Sequence, residues 1–103
     1  MKKWRDIAGI VAEACIEVLG DECLEVYVVG GAAEGRLTVL SDIDVIVVKA
    51  GEVGDYIGTV VAIKAKALEL GLPEEAPLDL KILTPGEFKE LKSRYYAKTV
   101  KIK

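Results

Sequence analysis

Three aspartates and a pair of glycines are the residues of this chain whose types and spacing could do chemistry. Asp42 and Asp44 stand one residue apart at the opening of an apolar run, Ile43 to Val48, and Asp79 opens a second apolar run within Leu78 to Leu83. Side chains at i and i+2 of a strand share a face, so the spacing predicts Asp42 and Asp44 side by side. Two carboxylates about 5 Å apart repel by roughly 3 kcal/mol at an effective dielectric near 20. An apolar strand gains nothing from that repulsion, so either one carboxyl keeps its proton or a divalent cation lies between them. A donor set of oxygens favours Mg²⁺, with Mn²⁺ as the substitute, over softer metals. If the strand of Asp79 neighbours that of Asp44, three carboxylates meet at one end of a sheet. One or two ions held there suit phosphoryl or nucleotidyl transfer, and the third carboxylate could take a proton from an attacking hydroxyl. Lys81, two residues beyond Asp79, would share its face and partly neutralise the cluster.

Gly30 and Gly31 follow a strand-like run, and glycine lets backbone approach a phosphate closely while the following amides point at it. A glycine pair is also an ordinary turn, as a lone Asp-Ile-Asp is an ordinary solvated strand end. Together, with ten residues between Gly31 and Asp42, the two are far more specific.

Positioning these residues requires a small sheet with helices on it. Trp4, Ile7, Ile10, Val11, Ala14, Val18 and Leu19 recur at helical spacing, predicting an amphipathic helix over residues 3 to 19 that stops at Gly20. Leu24 to Val29 reads as a strand, Ala32 to Leu37 as a short helix or turn, and Ile43 to Val48 as a central strand covered on both faces. A second helix is expected from Asp55 to Leu70 and a third strand from Leu78 to Leu83. Thr84, Pro85 and Glu87 then form the capping-box signature of a last helix reaching Tyr96. The basic tail KTVKIK is either a short edge strand or frayed. The order helix, strand, strand, helix, strand, helix predicts an α+β fold with a small mixed sheet, as one domain over residues 1–103.

Composition narrows the function. The chain has 103 residues, 51% of them hydrophobic, and a net charge of −3. That balance argues against general nucleic-acid binding, which needs clustered Lys and Arg. No apolar run is long enough to span a membrane, and no targeting segment is readable. There is no histidine, so His-based acid–base chemistry and Ser-His-Asp triads are excluded. Two cysteines, Cys15 and Cys23, are too few for a typical structural zinc site. Cys15 lies beside the helix's apolar stripe and reads as a small buried hydrophobe. With no disulfide framework readable, a reducing, cytoplasmic location is expected.

The order apolar strand, Gly30-Gly31, ten-residue spacer, Ser41-Asp42-Ile43-Asp44 and later Asp79 resembles the DNA polymerase beta-like nucleotidyltransferase superfamily, and in particular its minimal nucleotidyltransferases. The likeness covers roughly residues 25 to 85, and Gly35, Thr38 and Ser41 also sit where such proteins often carry those residues. It implies a nucleotidyltransferase-like fold and a Mg²⁺-dependent transfer of a nucleoside monophosphate, AMP from ATP, to an acceptor hydroxyl. Asp42 and Asp44 would then hold the metals. Asp79 would bind the second metal and orient or deprotonate the nucleophile. Gly30 and Gly31, with Arg36 and Ser41, would bind the nucleotide. The resemblance also implies a partner, a helical HEPN-type protein paired with this chain as antitoxin in a toxin–antitoxin system, as a homodimer or hetero-oligomer. Two departures stand out: Gly31 replaces a serine common at the second glycine position, and Glu34 replaces an arginine common before Gly35. A carboxylate at 34 would repel a triphosphate unless Arg36 takes over. The alternative reading is therefore a catalytically weak nucleotide- or partner-binding module of the same fold. Three mutually repelling carboxylates argue against it, because they bring no benefit without a cation.

Overall fold

The computed structural model describes residues 4–33, 42–95 and 98–103. Helix α1 (Trp4–Leu19) leads through a 3₁₀ turn (Gly20–Glu22) into β1 (Cys23–Val29); β2 (Ile43–Lys49), α2 (Tyr56–Glu69), β3 (Leu78–Leu83), α3 (Pro85–Tyr95) and β4 (Thr99–Lys101) follow. The sheet order is β3-β2-β1-β4. β1 runs antiparallel to both β2 and β4, whereas β2 and β3 run parallel. This is the mixed α+β arrangement expected, and the basic tail forms an edge strand.

The helices form where local chemistry favours them. Ile7, Val11, Ala14 and Cys15 make the buried stripe of α1, and Gly20, at φ 59°, turns the chain out of it. Asp55 caps α2, its Oδ1 accepting from the Gly58 amide at 2.9 Å. The capping box of α3 is complete: the Thr84 amide donates to Glu87 Oε1 at 2.9 Å, and the Glu87 amide donates to Thr84 Oγ1 at 3.3 Å. It satisfies two amide donors where the chain leaves β3, which sets α3 directly behind that strand.

Strand alternation divides the sheet into two faces. Val26, Val28, Val45, Val47, Leu80 and Ile82 point to one side and merge with α1 and α2 into the larger core. Val29, Ile46 and Val48 point to the other, where Phe88 of α3 covers them. The Tyr27 ring stacks on Phe88 with centroids 4.4 Å apart. This second face is only partly covered, and it carries the polar residues of interest.

One expectation is corrected here. Cys15 and Cys23 are both buried and are joined by a disulfide. The 3₁₀ turn folds β1 back along α1 and brings the two Cα atoms to 5.9 Å, within the span a disulfide bridges. Burial of Cys15 is as expected; its bond is not, and the expectation of a reducing compartment, which rested on no disulfide framework being readable, loses its footing. Among the described residues, no helix is long and apolar enough to cross a membrane.

Candidate functional site

Parallel pairing of β2 and β3 creates the site. Ile43 pairs with Leu78, Asp44 with Asp79 and Ile46 with Lys81, and the ladder opens with the Ile43 amide donating to the Pro77 carbonyl at 2.6 Å. Residues in register on neighbouring strands lie one strand spacing apart and point to the same side. Asp44 and Asp79 are therefore side by side on the partly covered face. Burial pushes the Asp44 carboxyl above the usual carboxylate range, and the negative charge of Asp79 pushes it further; Lys81 works the other way. The charge of Asp42 also raises it, as the smallest contribution.

Asp42 stands one residue before β2 and is exposed. The strand alternation that orients Asp44 thus does not bind Asp42. Among the described residues, no group of three or more acidic or cysteine side chains is close enough to hold a metal ion unaided. The donor chemistry still fits a hard divalent cation. Asp44 and Asp79 supply paired oxygens whose mutual repulsion a cation would relieve, and an ammonium already stands in for one: Lys81 Nζ lies 3.0 Å from Asp79 Oδ2.

The glycine turn meets this pair from β1. Val29, the last residue of β1, is in register with Asp44, and Gly30 follows at φ 71°. A Cβ on Gly30 would lie 2.5 Å from Asp44 Oδ2. Glycine is required here for a left-handed backbone, and a side chain would in addition oblige the Asp44 carboxylate to shift. Sequence reasoning assigned Gly30 to phosphate approach and missed this contact, which becomes visible only once the β1–β2 register is known. After the turn, Ala32 and Ala33 are buried in the larger core. Arg36 and Ser41, expected at the nucleotide, lie outside the described residues, as do Glu34, Gly35, Thr38 and the rest of the expected helix or turn to Leu37.

This geometry, a glycine turn at the end of one strand against paired aspartates on the next two, can be set beside known proteins. The sequence model of the nucleotidyltransferase domain matches residues 13–103. The chain belongs to the nucleotidyltransferase domain family. Such domains are transferases that bind a nucleotide substrate and as a rule employ divalent metals. Among solved structures, a provisionally named nucleotidyltransferase from Sulfolobus solfataricus superposes with a TM-score of 0.58 at 19% identity, covering 98% of this chain and 87% of that one. At that identity the likeness speaks for the fold alone, which is nucleotidyltransferase-like. No curated protein matches the sequence significantly.

Proposed function

We propose that this nucleotidyltransferase moves a nucleoside monophosphate from a nucleoside triphosphate, ATP in the first instance, onto an acceptor hydroxyl. The observation that carries the reading is the register of Asp44 with Asp79 on parallel strands beside the Gly30 turn. Asp44 and Asp79, with Asp42 one residue before β2, would hold Mg²⁺ or Mn²⁺, which when bound supplies charge neutralisation at the phosphates.

The chain's own residues do the rest. The turn at Gly30-Gly31 offers backbone amides to the β- and γ-phosphates, and Arg36 and Ser41 are assigned to the same anion. Asp79 orients the acceptor hydroxyl and takes its proton as the oxygen attacks the α-phosphorus. The new O–P bond forms as the bond from the α-phosphorus to the bridging oxygen breaks, and pyrophosphate leaves with that electron pair. The resemblance described above supports a helical HEPN-type protein as the acceptor, with this chain as its antitoxin.

The test is transfer of label from α-labelled ATP with Mg²⁺, in the presence and absence of such a partner, by wild type and by Asp42→Asn, Asp44→Asn and Asp79→Asn. Transfer that all three substitutions abolish supports the proposal. A wild type that neither transfers label nor gains thermal stability from ATP and Mg²⁺ would leave the binding-module reading in its place.

A further inference from the structure

Lys81 is not part of the aspartate–glycine pattern, yet it sits inside the site. It shares a face with Asp79 two residues away and is in register with Ile46, the residue two beyond Asp44. Its Nζ lies 3.0 Å from Asp79 Oδ2, with the two side chains 41% and 45% exposed.

Three physical features define what such a lysine can do. An ion pair this exposed is weak, and double-mutant measurements on such pairs cluster at roughly 0.2–1 kcal/mol. The contact is therefore displaceable. Lysine carries a compact charge on a flexible stem, able to swing between anions, where arginine would lock a carboxylate in a fork. A divalent ion on Asp44 and Asp79 would repel the ammonium at close range, and the anion a nucleotide brings to this site is a phosphate, a group lysine binds as a point charge.

We propose that Lys81 is the site's built-in counter-cation: it occupies Asp79 while no divalent ion is bound, yields that carboxylate on metal loading, and turns to a phosphate of the incoming nucleotide. The inference rests on the reading that Asp44 and Asp79 hold the metal. Its consequence is thermodynamic coupling. Metal alone must displace the lysine, whereas metal with nucleotide gives the lysine a new partner, so each ligand strengthens the other by the same factor.

The experiment is calorimetric titration of Mn²⁺ into wild type, Lys81→Met, Lys81→Arg and Asp44→Asn, each with and without the non-hydrolysable analogue α,β-methylene-ATP. Without nucleotide, Lys81→Met should bind Mn²⁺ roughly two- to fivefold more tightly than wild type, the factor that loss of an exposed ion pair allows. Lys81→Arg keeps the charge and should not gain. With the analogue present, the nucleotide's enhancement of Mn²⁺ affinity should shrink in Lys81→Met by a similar factor. Lys81 is half-exposed, so unchanged circular dichroism is expected and confirms that the variants fold. Equal or weaker Mn²⁺ binding by Lys81→Met, with Asp44→Asn impaired, overturns the role of the lysine and leaves the metal site standing. If wild type takes up no Mn²⁺ and Asp44→Asn is no different, the metal site and this proposal fall together.

Discussion

The two faces of one strand show how this protein separates folding from chemistry. On β2, Val45 and Val47 enter the core beneath α1 and α2, while Asp44, between Ile43 and Val45, points to the opposite side. Neighbouring residues thus live under opposite rules. One face excludes water and tolerates no charge; the other is left partly open and crowds two like charges, Asp44 and Asp79, at one end, with Phe88 and Tyr27 packed on its apolar residues. A charge placed on the wrong side should break the division. Val45 is fully buried, and Val45→Asp puts an unpaired carboxylate where no partner waits. The cost of several kcal/mol approaches the whole stability of a small domain. The variant is expected to lack a cooperative denaturant transition; a normal midpoint would show that the closed face admits water.

Gly30→Ala probes the seam between the faces. A residue with a Cβ in the left-handed region costs roughly 1–3 kcal/mol, and here that Cβ also meets the Asp44 carboxylate. We expect a loss in that range together with loss of nucleotide transfer. The informative control is Gly30→Ala combined with Asp44→Gly. If the clash matters as the geometry says, the double variant should be more stable than the sum of the single effects, because contacting residues fail to add. Strict additivity would mean that the turn alone demands glycine.

Some of this was readable from residue order and some was not, and the division has a physical basis. The β3 limits and the Thr84–Glu87 capping box follow from chemistry within a few residues, and the structure shows both as expected. The α+β class and the pairing of Asp44 with Asp79 needed only the further guess that their strands are neighbours. What could not be read depends on long-range register or on a tight turn in space. The contact between Gly30 and Asp44 requires knowing that Val29 faces Asp44. The Cys15–Cys23 disulfide requires the 3₁₀ turn that folds β1 back along α1. Asp42 was placed by strand alternation, but β2 begins one residue later, so the rule applied to a position just outside its range.

Asp44→Asn sharpens the contrast in the other direction. Burial and the neighbouring Asp79 both disfavour the ionised Asp44 side chain, so removing its charge should stabilise the metal-free protein while abolishing transfer. A gain of about 0.5–2 kcal/mol is usual when a strained functional residue is relieved. The corresponding surface change Asp55→Asn, at the exposed cap of α2, should give no such gain. Thermal melts without divalent ions decide it; a destabilised Asp44→Asn would mean that the carboxylate is held by favourable contacts and stores no repulsion.

The smallest effect concerns the far end of the same open face, where Glu25 carries charge without the aspartates' conflict. The Tyr27 hydroxyl donates to Glu25 Oε2 at 2.9 Å, and Lys101 Nζ lies 3.2 Å from the same oxygen. The tyrosine hydrogen bond, opposed in part by burial and assisted by Lys101 and Lys92, holds the Glu25 carboxyl below its ordinary value. A depressed folded-state pKa means that the ionised form stabilises the fold above the unfolded-state pKa, near 4.3, and that this contribution fades as pH falls through the lower folded value. With the side chain 36% exposed, solvent screening leaves about a few tenths of a kcal/mol. Glu25→Gln should therefore lower the denaturant midpoint slightly at pH 7, and the two proteins should converge at pH 3. Asp44→Asn should separate from wild type most clearly at neutral pH with the opposite sign, because its folded pKa is raised rather than lowered. One face would then hold a carboxylate that stabilises when ionised and another that destabilises when ionised, on neighbouring strands but at opposite ends of their ladder. If both substitutions moved stability in the same direction, the open face would be a uniform solvated surface and not a site with stored repulsion at one end.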